Sequence, residues 1–556
     1  MNAGEVIFQK LLDGKIQYRI PLFQRTYNWR EEQWKQLWQD LMRIYSMDTR
    51  RKHFVGSIVT YPIHGLPGDV NQHVMIDGQQ RITTLLILLG VIRDHAHQAP
   101  EKWPGLPDEI RSTCLINEFA EDPEERIKLM PSRRDREPFD DLISNSRILD
   151  GTKQVAKAWQ YFDRKLRRGD NNGNSIDLKK LKICVTDRLD IVSIALDSSD
   201  NPNRIFESLN YTGMPLTASD LIRNYLFMNI RDVNRQDSAY DKYWYPMQER
   251  LGRYLDDFFW RYLMMDGSLP RNNSKDIFDG VRDLIGQQPT EDQTVNALRQ
   301  FNVFSRYYAQ LAEVDTSGLT TATVERIHRL NQWQVDVAYP FLMKSLDHIG
   351  SSIKEHDVLE VMRMIESFVV RRAACSIPTN SLRRYFSQMA AGVDFKNFIA
   401  SSKEYLSKKG WIWPSDDRFR EGFLQFQVYN RTRLSRANLI LWSLERAFEH
   451  KETPARTDKI EIEHIMPQTL TAEWIEALGP KFIDIHDRWL HTIGNLTLSA
   501  YNAELSNMMF AEKREILIAS NFSLNSSLIS LRKWDEEMIE ERGRVFSEMA
   551  VIIWPR

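Results

Sequence analysis

The segment VMIDGQQRITTLLILLG (Val74–Gly90) limits how this chain can fold more than any other. A Val/Ile-rich run ends at Asp77-Gly78, and an apolar stretch begins at Ile82. The run Ile82–Ile92 is too short for a bilayer span, which takes about 20 residues, so Ile82–His95 reads as a core helix. Between strand and helix stand Asp77, Gly78, Gln79, Gln80 and Arg81. A helix start offers free N–H groups and a partial positive charge, and both attract anions. Gly78 lets a ligand approach the backbone. Gln79 and Gln80 can donate hydrogen bonds, and Arg81 can grip phosphate with its two-pronged guanidinium. Asp77 can hold a metal or orient a water. The same residues also fit a plain turn with Asp77 as the N-cap, and local chemistry leaves the two readings level.

A core helix needs a fold around it, and 556 residues are too many for one core. At about 100–200 residues per domain, three or so domains are expected. The net charge of -2 gives no global basic field, although a local basic groove can sit on a neutral protein. Cys114, Cys184 and Cys375 have no paired spacing, which argues against a disulfide framework or a Cys-based zinc site. The start MNAGEVIFQKLLDGK lacks a basic-then-apolar signal, so a reducing cytoplasm is expected. The 15 tryptophans imply large cores, with a few available as stacking surfaces.

The sequence has no internal repeat and changes character along its length. His53–Tyr61, His73–Asp77 and Asp190–Asp197 read as strands, and Gly169–Ser175 as a loop. Helical periodicity dominates 231–450, most clearly in Asp357–Cys375 and Arg433–His450. The polar, Pro-containing His450–Lys459 reads as a boundary, followed by a compact strand-then-helix segment.

Two further segments bear on Asp77–Arg81. IPLFQRTYNW (Ile20–Trp29) sets Gln24 and Arg25 among Phe23, Tyr27 and Trp29, ahead of a helix over Glu31–Leu41 carrying Trp34 and Trp38. RIFESLNYTGMPLTASDLIRNYLF (Arg204–Phe227) holds Asn210 and Gly213 in a turn, then Thr217 and Asp220 in a capping-box spacing. Together, FQRTYNW, IDGQQRITTL and FESLNYTGMPLTASDLIRN resemble the N-terminal domain of the GmrSD-type, modification-dependent (type IV) restriction endonucleases. The resemblance implies a ParB/sulfiredoxin-like domain that binds and hydrolyses a nucleoside triphosphate (GTP, UTP, CTP or ATP) and couples this to recognition of modified DNA. It assigns nucleotide binding to Asp77, Gly78, Gln79, Gln80 and Arg81, with Gln24 and Arg25 as pocket partners. Asn210 and Gly213 belong to the motif, Asn210 being counted with the nucleotide residues.

Near the C-terminus, KIEIEHIMPQTL (Lys459–Leu470) alternates apolar and acidic residues as a strand does. Neighbouring strand residues point to opposite faces, so Glu463 and His464 share a site only if the strand ends or bends there, as Pro467 favours. In HTIGNLTLSAYNAELSNMMFAEKREIL (His491–Leu517), Gly494-Asn495 reads as a turn, Leu496–Leu498 as a short strand and Asn502 onward as a helix. This order suits an HNH (ββα-metal) nuclease. Phosphodiester hydrolysis takes a base near neutral pKa and a divalent cation on hard oxygen ligands. His464 is expected as general base and Glu463 as a ligand of Mg²⁺ or another divalent cation. Asn495 would orient His464 or its loop, Asn502 or Asn507 would be the helix-borne ligand, and Lys513 would hold the scissile phosphate. His486 and His491 read as surface or packing histidines. EHIMPQ, GNLTL and N-x4-N-x2-F-x2-K are also similar to the C-terminal HNH domain of the same family, except that Glu463 stands where Asp is frequent.

The expected architecture is therefore α+β and multidomain: a ParB-like domain over 1–230, a helical linker domain over 231–445 and an HNH domain over 446–556. Arg371, Arg372, Arg383, Arg384, Arg431, Arg433 and Arg436 fit a DNA path or ordinary solvated helix faces equally well. The expected function is restriction of modified phage DNA by nucleotide-regulated cleavage of double-stranded DNA, with no membrane partner. The alternatives are the same nuclease triggered by a backbone modification such as phosphorothioate, and a nucleotide-switched DNA-binding regulator with an inactive nuclease domain. One HNH site cuts one strand per visit, so a double-strand break needs a homodimer or two visits.

Overall fold

The structure, a computed structural model, describes residues 2–21, 24–47, 51–63, 69–144, 151–169, 174–196, 217–448 and 460–556. Asn210, Gly213, Phe23 and the expected boundary at 450–459 lie outside the described residues. The fold is mixed α+β and divides into two compact units. One comprises Met1–Tyr245 with Asn273–Arg299, the other Pro246–Asn272 with Gln300–Arg556, so the stretch 231–445 is shared between them.

The first unit is built on a six-stranded mixed sheet: β1 (Asn2–Ile7), β2 (Ile16–Arg19), β3 (His53–Ile63), β4 (Asn71–Asp77), β5 (Leu129–Met130) and β6 (Leu189–Ala195), in the order β1-β6-β3-β4-β2-β5. β3 is antiparallel to β4 and parallel to β6, and β2 is parallel to both β4 and β5. Alternation along β4 sends Met75 into the main core and Ile76 to the opposite face, where it meets Val59 and Leu196. α1 (Glu31–Ser46) and α2 (Gln79–His97) fill the main-core side. α1 is amphipathic and buries Trp34, Leu37, Trp38, Leu41 and Met42 on one face. α2 is apolar all round, and Ile82 and Leu85–Leu89 lie at 0–1% exposure, as a fully surrounded helix requires.

The second unit is mainly helical. Its long helix α3 (Glu355–Ala374) carries the buried Glu366, which accepts hydrogen bonds from Arg326, Arg329 and the indole of Trp554. A short antiparallel pair follows, β7 (Glu461–His464) and β8 (Leu496–Ser499), with Glu463 opposite Thr497 and His464 opposite Leu496. After β8 come the short α4 (Asn502–Leu505), α5 (Phe510–Ile518) and the C-terminal α6 (Glu536–Ile553). Trp474, Trp489 and Trp534 build the local core beneath them. Throughout the chain the tryptophans are core residues: all are buried except Trp29, Trp103 and Trp159, which pack half-buried against the first unit's core. Among the described residues no helix is long and apolar enough to cross a membrane.

Candidate functional sites

The first site sits where β4 runs into α2. The N-cap of α2 is Gly78 rather than Asp77: it lies in the left-handed region at φ 95°, and no side chain caps the helix. A Cβ on residue 78 would also stand 2.7 Å from Ile58 Cγ1, so the turn requires glycine twice over. The first N–H groups of α2 thus remain without a side-chain cap, which favours an anion there.

The glutamines have a different task from the one expected. Gln79 and Gln80 are each 6% exposed and Gln24 is 4% exposed. Gln79 Nε2 donates to Gln24 Oε1 (3.2 Å), and Gln24 Nε2 donates to the Ile76 carbonyl (3.2 Å). Gln80 accepts from the Asn28 amide (2.9 Å) and donates to the Thr26 carbonyl (3.3 Å). Their amides therefore brace the 24–28 segment against α2. Tyr27 completes the brace through Thr84 Oγ1 and the Trp34 indole, both at 2.7 Å. Arg81 donates to the Ser57 carbonyl (2.8 Å) and lies 3.9 Å from Asp77 Oδ2, with nearly a third of each side chain exposed. Arg25 is half-buried, and its Nε is buried without a hydrogen-bond partner. Burial pulls its pKa down, while Asp220 and Asp77 pull it back up. Thr217 caps the helix Ala218–Met228 by accepting from the Asp220 amide, as its sequence spacing predicted.

The second site is at the end of β7. The strand stops at His464, and its last two side chains meet different partners. Glu463 is 7% exposed and accepts from Lys513 Nζ at 2.6 Å; the same ammonium donates to the His464 carbonyl at 2.8 Å. Burial raises the Glu463 pKa and lowers that of Lys513, and each group draws the other back toward its charged form. Lys513 is 0% exposed, so the surface position expected for a phosphate-holding lysine is absent. It ties α5 to β7 instead.

His464 faces another group of side chains. Its Nε2 lies 3.1 Å from His491 Nδ1, and its Nδ1 lies 3.5 Å from Gln468 Nε2. The Tyr429 ring packs edge-on against His464 at 4.6 Å and stacks on His491 at 5.3 Å. Burial first, then the nearby His491, Lys513, His486 and Arg431, bring the His464 pKa down to about 3. The ring is therefore neutral near pH 7, with one nitrogen unprotonated, and its pKa lies well below the near-neutral value expected of a general base.

The asparagines separate clearly. Asn495 is 0% exposed; its Oδ1 accepts from the Met466 amide (2.7 Å) and the Trp534 indole (3.0 Å), and its Nδ2 donates to the carbonyls of Met466 and Leu490 (3.0 Å each). Of the two expected roles it thus holds the loop after His464, not the imidazole. Asn502 donates to the Ile462 carbonyl (3.0 Å), while its Oδ1 is buried without a partner. Asn507 is exposed. Between the two, Asn502 has the oxygen in need of a positive partner, beside the strand that carries Glu463. Among the described residues no three His, Cys, Asp or Glu side chains cluster as a metal cage. A hard cation that keeps most of its waters needs few protein oxygens; the two expected to hold one here are the Glu463 carboxylate, whose Oε1 is already paired with Lys513, and the unpartnered Asn502 Oδ1.

His491, expected as a surface or packing histidine, stands instead against the His464 ring together with Tyr429 and Gln468, and of these only Gln468, at i+4 from His464, has a local signal in the sequence. Among the arginines for which a DNA path and a solvated helix face were the two expectations, the pair Arg371 and Arg372 takes neither role. Both are buried: Arg371 donates to the carbonyls of Trp554 and Pro414, and Arg372 to those of Trp411 and Pro378. Arg384, Arg431 and Arg433 are exposed.

Comparison with known protein families matches the same two regions. The model of the GmrSD restriction endonuclease N-terminal domain matches residues 8–227, and that of the GmrSD restriction endonucleases' C-terminal domain matches residues 413–549. The chain belongs to the GmrSD restriction endonuclease family. No curated protein matches it. As a GmrSD protein it is a restriction nuclease with DNA as its substrate. The N-terminal match includes Gln24, Arg25 and Asp77–Arg81; the C-terminal match includes Tyr429, Glu463, His464, His491, Asn495, Asn502 and Lys513.

Proposed function

We propose that this GmrSD protein is a nucleotide-regulated, Mg²⁺-dependent endonuclease of the HNH type that cuts modified foreign DNA. The observation that carries the nuclease reading is the end of β7, where the buried His464 directly follows Glu463 and where Asn502, held on the Ile462 carbonyl of the same strand, keeps a buried amide oxygen without a partner. In this reading His464 takes a proton from the water that attacks the phosphorus. Glu463 and Asn502 would hold the cation, and Lys513 fixes the Glu463 carboxylate in place. When bound, Mg²⁺ neutralises charge on the scissile phosphate and the leaving oxygen. Asn495 keeps the turn after His464 closed, so the imidazole stays at the strand end.

The regulatory reading draws support from the uncapped start of α2 with Arg81, Asp77 and the half-buried Arg25 around it. Triphosphate oxygens would meet backbone N–H groups and guanidinium donors there. A ParB-like topology for the first unit and an HNH (ββα) topology around β7 and β8 are part of this proposal.

The test is cleavage of one plasmid sequence prepared unmodified, with modified cytosines or with phosphorothioate linkages, with and without each NTP. Cutting of the cytosine-modified form alone, dependent on Mg²⁺ and altered by one NTP, is expected. Selective cutting of the phosphorothioate form would replace a base trigger by a backbone trigger. Equal cutting of all forms would remove modification sensing, and no cutting of any would favour a regulator.

A further inference from the structure

His464 can act as a base only if one ring nitrogen carries no proton and faces the water, and its surroundings decide which nitrogen that is. Arg431 donates to Gln468 Oε1 at 3.1 Å. A guanidinium has no acceptor, so this contact fixes the Gln468 amide with its oxygen toward Arg431 and its NH₂ toward His464. The NH₂ faces His464 Nδ1 at 3.5 Å, a long contact that only a lone pair on Nδ1 suits. In the neutral ring the proton is then on Nε2, which lies 3.1 Å from His491 Nδ1.

We propose that His491 is the positioning residue of the nuclease site: its unprotonated Nδ1 accepts the Nε2–H of His464 and thereby keeps the ring proton on Nε2, so that Nδ1, which Gln468 reaches only by a long 3.5 Å contact that the attacking water displaces, takes the proton of that water. This rests on the reading of His464 as general base. His491 is itself well held. It stacks on Tyr429 with the ring planes 23° apart, and its carbonyl accepts from the amides of Val428 (2.8 Å) and Tyr429 (3.3 Å). Gln427 bridges to Thr492 alongside. When His464 becomes imidazolium, the Nε2–H is already paired, so no buried donor is left orphaned as charge develops.

The acceptor role and a mere packing role are separable by substitution. In the full chain, with Mg²⁺ and whichever plasmid form the unsubstituted protein cuts, His491→Ala is expected to lower kcat about 10–100-fold, the usual cost of losing a partner that orients a site residue, with KM for DNA unchanged. His491→Asn keeps an acceptor oxygen and loses the stack on Tyr429; His491→Phe keeps the stack and loses the acceptor. Recovery of most of kcat by Asn and none by Phe supports the proposal, with melting temperatures measured alongside. Recovery by Phe, or an unchanged kcat in His491→Ala, overturns it while His464→Ala remains inactive. Undiminished cutting by His464→Ala overturns the base assignment itself, and the proposal with it.

Discussion

Asn495 uses all of its side-chain hydrogen-bonding capacity on the loop after His464 and on Trp534. Asn495→Ala would orphan the Trp534 indole and the Met466 groups, each costing about 1–3 kcal/mol when buried. Chemical denaturation should therefore show a loss of several kcal/mol; an unchanged midpoint would refute the clamp. Lys513 is testable in the same way. Removing one partner of a buried ion pair costs about 3–5 kcal/mol, so Lys513→Ala should lower the melting temperature sharply while the DNA affinity of the remaining folded protein stays the same. Weakened DNA binding at unchanged stability would return Lys513 to the phosphate-holding role that its sequence position implied. That role was a fair expectation, because spacing along a helix does not reveal that Glu463 turns to the same side of β7 and claims the ammonium. His491 was unreadable for a related reason: 27 residues separate it from His464, and only the antiparallel pairing of β7 with β8 brings the two rings together.

Elements were legible where one period ran long. The strands at His53 and His73, the helix after Asp77 and the helix after Arg30 follow the patterns read from the sequence, since each has a continuous face to bury. β1, β2 and β5 escaped it: each is short, and β2 and β5 are held in the sheet by parallel partners distant in the chain. The start of α2 was half legible. The pattern showed a polar turn, but the left-handed Gly78 and its closeness to Ile58 are tertiary facts. A non-glycine residue in the left-handed region costs about 1–2 kcal/mol, and the Ile58 contact adds to this. Gly78→Ala should thus destabilise the first unit and impair nucleotide binding together; an Ala variant with unchanged thermal stability would contradict the geometry. In the second unit, burial tends to raise the pKa of Glu366, but Arg329 and Arg326 outweigh it and hold the carboxylate below its ordinary 4.5. A depressed folded pKa gives stability that is present above the unfolded value and lost as pH falls through the folded one. Glu366→Gln should therefore flatten the fall in stability below about pH 4.5, as urea titrations across that range would reveal; an unchanged acid limb would show that Glu366 is not a main contributor.

At the scale of the whole molecule, family membership rests on two matched regions, one in each compact unit, and each region holds one candidate site. The division of labour proposed here makes the sites separable. Arg81→Ala should reduce NTP turnover and change how cutting responds to nucleotide, leaving His464 chemically competent; unchanged turnover would place the nucleotide elsewhere. Chelation of divalent cations should abolish cutting in every variant. The central claim is that His464 is the base that cuts DNA. Its most direct measurement is the single-turnover cleavage rate of His464→Ala beside the unsubstituted chain, in Mg²⁺ and on the same DNA, with folding and DNA binding verified. The account predicts a fall of about 10²–10⁴-fold, the usual contribution of a general base, with DNA still bound. Cleavage at the unsubstituted rate would contradict it.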